Sequence, residues 1–156
     1  MEAIQNVSVL YQVAEVELIY KSKVKASQRP AIASSKAAFN LLLKAWDENN
    51  IDFVEQFKVL FLNRANKVLG IYNVSTGGVL GTVADPSVIF VAALKANCCG
   101  IIISHNHPSG NLKPSRPVEE LTAKIKEAGN FLVEFEQNGK DRAEYGKLYW
   151  RPLLQR

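Results

Sequence analysis

Two hydrophobic periods alternate along this chain. From Phe39 the apolar residues Leu42, Leu43 and Trp46 recur at i, i+3, i+4 and i+7, the stripe of a helix with one buried face. Ser34 or Ser35 supplies its N-cap, and its end is predicted near Asn49-Asn50. From Val54 to Leu62 the period drops to two, with Phe57, Val59 and Phe61 on one face of a half-buried strand. Asn63-Arg64-Ala65-Asn66 reads as the turn into a second strand, Lys67 to Val74, which closes a hairpin. Nearer the start, Val16, Leu18 and Tyr20 alternate with Glu15, Glu17 and Ile19, predicting an earlier strand before a loop through Gln28-Arg29-Pro30.

Ser75-Thr76-Gly77-Gly78 breaks the second strand, and Asp85-Pro86 then places an N-cap and a first-turn proline ahead of Ile89, Phe90, Ala93 and Leu94. This second helix leads into the apolar run Gly100-Ile101-Ile102-Ile103. Ser115 can cap a third helix whose apolar face is Val118, Leu121, Ile125 and Ala128, with Gly129 as its C-cap. Val133-Glu134-Phe135-Glu136 reads as a strand, Asn138-Gly139 as a hairpin turn and Lys147 to Trp150 as the return. The expected architecture is a sheet with helices around it.

A length of 156 residues fits one domain with a core of ordinary size. No apolar run approaches the roughly 20 residues that span a bilayer, and the opening Met1-Glu2-Ala3-Ile4-Gln5-Asn6 has no basic or apolar leader pattern. A soluble, cytoplasmic protein without a membrane partner is expected. Cys98 and Cys99, the only cysteines, are adjacent and offer no disulfide framework, so a reducing compartment is implied. Apolar neighbours favour a buried structural thiol at Cys99 over a reactive thiolate. The net charge of +4 comes from 19 basic and 15 acidic residues, with a cluster at Lys21, Lys23, Lys25 and Arg29. Without interleaved aromatics, that cluster reads as a solvated strand end or loop more readily than as a nucleic-acid surface.

The candidate chemistry lies at His105-Asn106-His107, which holds both histidines of the chain directly after the third apolar run. On an extended segment, residues i and i+2 project to the same side, so the two imidazoles can converge on one ion. Imidazole is the commonest protein metal ligand, and catalytic zinc usually takes three protein ligands and a water. Taken alone, the pair is equally compatible with a polar loop after a buried strand.

Read in full, the spacing is His105-x-His107, seven residues, Ser115, two residues, then position 118. It resembles the JAMM (JAB/MPN) metalloprotease signature. Pro108-Ser109-Gly110 and Pro114-Ser115-Arg116 make it similar to the RadC-type branch, historically labelled DNA repair, as do Glu55-Gln56-Phe57-Lys58-Val59-Leu60-Phe61-Leu62-Asn63 and Ser75-Thr76-Gly77 upstream. The resemblance covers roughly residues 10 to 132 of a single domain spanning 1–156 and leaves 133–156 unmatched. It implies an α/β fold, a single JAB/MPN (cytidine-deaminase-like) domain with a mixed central sheet flanked by helices. It also implies that His105 and His107 bind Zn2+, that Glu55 is the general base and acid on the bound water, and that Ser115 steadies the oxyanion. Ser115 can cap its helix in the same position, and Ser109 and Gly110 shape the loop.

The resemblance calls for a third ligand, Asp, where this chain has Val118, which cannot bind a metal. Helical spacing puts Val118 on the inward stripe with Leu121 and Ile125, so packing is kept and coordination deleted. Glu119 lies about 100° away around the helix and is poorly placed to substitute, and Glu120 is expected to pair with Lys124. The function implied is a zinc-dependent metallo-hydrolase acting on peptide or isopeptide bonds, impaired at Val118. The alternative is a non-catalytic binding module for a protein or DNA partner. The implied partners are a peptide or protein substrate, weakly DNA, and a second copy of the chain if the tail leaves apolar surface bare.

Overall fold

The structure, a computed structural model, describes residues 17, 19–77, 84–110, 113, 115–136 and 149–150, with the backbone alone for 130–136 and 149–150. Ser34 opens helix α1 (Ser35–Lys44): from an extended backbone its side chain accepts the Ala37 N–H at 3.2 Å. That satisfies one of the amides the first turn leaves unpaired. The helix stops at Ala45, short of Asn49-Asn50. Asp47 explains the early end, because its carboxylate accepts from the Asn49 backbone at 3.0 Å and from the Asn50 side chain at 2.6 Å, offering the chain a turn in place of another helical step. Trp46 falls outside the helix yet remains buried.

Strand β1 (Gln56–Leu62) pairs antiparallel with β2 (Val68–Thr76) as a hairpin. Its turn is built by Asn63, whose Oδ1 accepts the N–H groups of Ala65 at 3.0 Å and Lys67 at 2.9 Å. Asn66 takes the left-handed conformation at φ 54°, which asparagine tolerates better than most residues. The register of β2 slips opposite Phe57/Lys58 and Phe61/Leu62, and the strand outlasts Val74 to reach Thr76. β1 is buried along its whole length, so the expected half-burial is corrected. Its second face is covered because α1 packs there.

Asp85 caps helix α2 (Pro86–Lys95) by accepting the Ser87 N–H at 2.8 Å, with Pro86 in the first turn as predicted. Ile89 and Ala93 are buried, whereas Leu94, expected inside, is 62% exposed. Strand β3 (Gly100–His105) runs antiparallel beside β1, and a short β4 (Tyr149–Trp150) lies parallel to β3, giving the order β2-β1-β3-β4 and a mixed sheet. Helix α3 (Arg116–Glu136) continues through Gly129 and through the predicted strand 133–136. A glycine costs only about 1 kcal/mol relative to alanine in a helix interior, and a helix already nucleated propagates through residues of modest propensity. The proposed hairpin turn at Asn138-Gly139 lies outside the described residues.

The sheet divides the core in two. On one face Leu60, Leu62, Val68 and Ile102 meet Ala38, Leu42 and Trp46. On the other, Phe57, Val59, Phe61 and Ile103 meet Ile89 and Ala93 of α2 and Ile125 of α3. This is an α/β domain with helices on both faces. The strand predicted around residues 15–20 falls mostly outside the described residues, and residues 19–23 carry no regular structure. The sheet edge there is met by Ala31, bridged to Lys67, and by the Tyr20 hydroxyl, which donates to the Leu69 carbonyl at 2.7 Å. No helix among the described residues is long and apolar enough to cross a membrane.

Candidate metal centre

The two histidines sit where β3 leaves the sheet. His105 is the last residue of the strand, opposite Phe57 of β1, and its ring is stacked on Phe57 with centroids 6.1 Å apart and planes 9° apart. Residue alternation does the rest. His107, two residues on, returns to the same side, and the two Nε2 atoms meet at 2.5 Å, one nitrogen donating and the other accepting. The turn His107-Pro108-Ser109-Gly110 fixes the exit, with the Gly110 N–H donating to the His107 carbonyl at 2.9 Å and Gly110 at φ 74°. Proline at the second position and glycine at the fourth suit that turn.

His105 is fully buried. Burial first, and then the charge of His107, push its ring down to about 4, so it is a neutral imidazole at neutral pH, the form that binds metals. Glu55 lies one residue before β1 and is half-buried. Its carboxyl is held above the usual carboxylate range by burial, an effect opposed by the charge of His107. The β1–β3 ladder ends at Phe57 and His105, and Gln56 bonds Asn106 just beyond it, so the sequence-predicted Glu55, His105 and His107 lie at the same strand ends. Ser115 stands apart from them in character: it is exposed at the head of α3, where its backbone carbonyl accepts from Val118 at 3.0 Å and Glu119 at 3.1 Å.

Asn106, between the two histidines, carries a role that no local sequence pattern predicts. It is 2% exposed, and its amide is used on both sides: Oδ1 accepts the Gln56 N–H at 2.7 Å, and Nδ2 donates to the carbonyls of Ile51 at 2.5 Å and Val54 at 2.8 Å. An asparagine inside a metal motif on a strand end was the available signal. Its partners lie 50 to 55 residues away, beyond any local pattern.

Zinc is the group the sequence implies, and the donor set fits it in kind but not in number. Two convergent imidazoles are present, yet no cluster of three or more His, Cys, Asp or Glu side chains occurs among the described residues. Val118 is buried at 8% exposure in the first turn of α3, and Glu119 faces solvent. The buried Nδ1 of His105 has no hydrogen-bond partner among the described residues, whereas metal-bound histidines normally donate from that second nitrogen. Glu120 pairs with Arg116 at 2.9 Å, one turn back, where Lys124 was expected; the guanidinium reaches it from the N-terminal side. Cys99, expected buried, is exposed and precedes β3, so it lies at the opposite end of that strand from His105, about 20 Å along an extended chain. The Cys98 thiol, partly buried, is pushed up to about 11 by burial and is not a thiolate at neutral pH.

The chain is similar to known proteins over much of its length. A family model described as RadC-like JAB domain matches residues 32–133. Among similar proteins, a UPF0758 protein of Flavobacterium johnsoniae is 43% identical over 101 residues, 65% of this chain and 43% of that protein. A UPF0758 protein of Caldanaerobacter subterraneus is 37% identical over 102 residues, 65% of this chain and 42% of its own length. One from Rubrobacter xylanophilus is 32% identical over 119 residues, 76% of this chain and 52% of its own. The matched part thus spans about half the length of these relatives or less. With the matched segment holding the hairpin, both histidines and most of α3, the chain belongs to the RadC-like JAB domain family.

Proposed function

We propose that this domain is a metallo-hydrolase of peptide or isopeptide bonds, weakened at its third metal ligand. The observation that carries the reading is the meeting of the His105 and His107 Nε2 atoms with Glu55 beside them. His105 and His107 would hold zinc, which when bound supplies an ionisable water near neutral pH and polarises a carbonyl. Glu55 takes a proton from the attacking water and returns it to the leaving amine. A carboxyl held above its ordinary range is a stronger base toward the water's proton than an exposed one would be. The Ser115 hydroxyl would donate to the negative charge developing on the carbonyl oxygen. The partner in this reading is a peptide or protein chain in the cytoplasm. DNA association and pairing of two copies are tested beside it by salt-dependent DNA binding and by sedimentation.

Hydrolysis of a panel of peptide and isopeptide substrates by zinc-supplemented protein tests the reading. Glu55→Gln is expected to lower turnover by roughly 100-fold or more, the usual range for loss of a general base, with zinc content unchanged. Equal turnover in wild type and Glu55→Gln would sink it.

Val118 favours a second reading, in which the domain keeps the fold and pocket but binds a partner without cleaving it. A Val118→Asp protein that gains hydrolysis would make the wild type a weakened enzyme; one that binds zinc fully and cleaves nothing would favour the binding module.

A further inference from the structure

We propose that Asn106 is a positioning residue: it ties the histidine segment to the backbone on both sides of Glu55 and so sets how that carboxylate faces His107. The β1–β3 ladder ends at the pair Phe57↔His105. One step further, the Gln56 N–H donates to the Asn106 side chain at 2.7 Å, so the side-chain amide carries on the link between the two segments where the ladder has stopped. The Nδ2 of the same amide reaches Val54 at 2.8 Å and Ile51 at 2.5 Å, so the residues immediately before and after Glu55 are both fastened to Asn106. The Glu55 carbonyl itself accepts the Gly77 N–H at 2.8 Å. Its main chain is therefore held from the β3 side by one asparagine and from the β2 side by one glycine amide, leaving the carboxylate only its own side-chain rotations.

Few side chains could replace this amide. It uses one acceptor and both donors, all directed at backbone groups in a buried place where unmet groups cost about 1–3 kcal/mol each. Aspartate keeps the size and the acceptor but turns both donors into oxygens facing two carbonyls. Glutamine keeps the chemistry but adds a methylene, which pushes residues 51–56 away from the histidines. The catalytic meaning of this placement rests on the reading of Glu55 and the histidines as a reacting centre, but the placement itself does not need a metal.

The test is NMR of the full chain without metal, following the Glu55 side-chain carboxyl carbon and the His107 ring in wild type, Asn106→Asp and Asn106→Gln. Leu42→Ala, which destabilises the domain from the core cluster under α1 without removing a polar contact, serves as the control. Both Asn106 variants are expected to move the Glu55 and His107 signals, while Leu42→Ala loses stability and leaves them in place. If Asn106→Asp fails to fold, Asn106→Gln carries the test. Unmoved Glu55 and His107 signals in a folded Asn106 variant that has lost as much stability as Leu42→Ala would reduce Asn106 to a packing role and overturn the proposal. Zinc content measured on the same samples separates the two ideas: shifted signals in a protein that never takes up zinc would leave the positioning role standing and remove the hydrolase.

Discussion

Two imidazoles joined at Nε2, one of them fully buried, make acid the natural enemy of this site. The His105 ring is held down to about 4, against about 6.5 in an unfolded chain. As pH falls the unfolded state takes its proton first, so the stability contributed by the neutral ring is complete above about pH 6.5 and lost progressively toward pH 4, on the order of 3 kcal/mol. Denaturant unfolding of metal-free protein at pH 7.5 and 4.5 checks this against His105→Phe, which keeps a ring on Phe57 and should show a shallower decline. An equal decline in both proteins would assign the acid sensitivity to other groups. At Val118 the expectation is reciprocal. Val118→Asp should lower the melting temperature of the metal-free protein, because a carboxylate enters a buried site, and should raise zinc affinity by at least the 10- to 100-fold typical of a ligand's supporting partners. Zinc should then restore its stability by mass action, read as a concentration-dependent melting temperature. No response to zinc would mean that position 118 does not face the histidines. The histidine pair stood out in the sequence because its spacing is local, whereas Glu55 was implied only by the family resemblance. The contacts of Asn106 were not, since they exist only once β1 and β3 are side by side.

At the scale of elements, legibility followed the range of the forces involved. The caps at Ser34 and Asp85 and the Asn63 turn rest on hydrogen bonds within a few residues, and each appeared where its side chains predicted. The misreadings came from competition at longer range. Asp47 ended α1 before its stripe ran out, and α3 carried through Gly129 and the strand-like Val133-Glu134-Phe135-Glu136. β1 looked half-buried because nothing in its own period of two shows that α1 covers its second face. These placements give contrasting mutational costs. Ile125→Ala, at a fully buried position joining α3 to the sheet, should cost about 2–5 kcal/mol in denaturant unfolding. Leu94→Ala, on the exposed side of α2, should stay within about 0.5 kcal/mol of wild type. Similar losses at the two positions would contradict the packing of α2 and α3 described above.

Across the whole molecule, the sheet acts as a mount. α1 seals one face, α2 and α3 the other, and the strand ends of β1 and β3 bring Glu55 and the two histidines to one place. The sequence pattern made this α/β arrangement and the RadC-like JAB resemblance readable, because both depend on the order of elements more than on any single contact. The third ligand could not be supplied by that reasoning, and the described residues do not supply it either. The proposed function requires that two histidines hold a metal here, if weakly. The most direct test is elemental analysis of the chain purified without chelators and without a histidine tag, then equilibrated with zinc, beside His105→Ala. Close to one zinc per wild-type chain is expected, readily removed by dialysis, and none in the variant. Folded wild-type protein that takes up no more zinc than His105→Ala would contradict it.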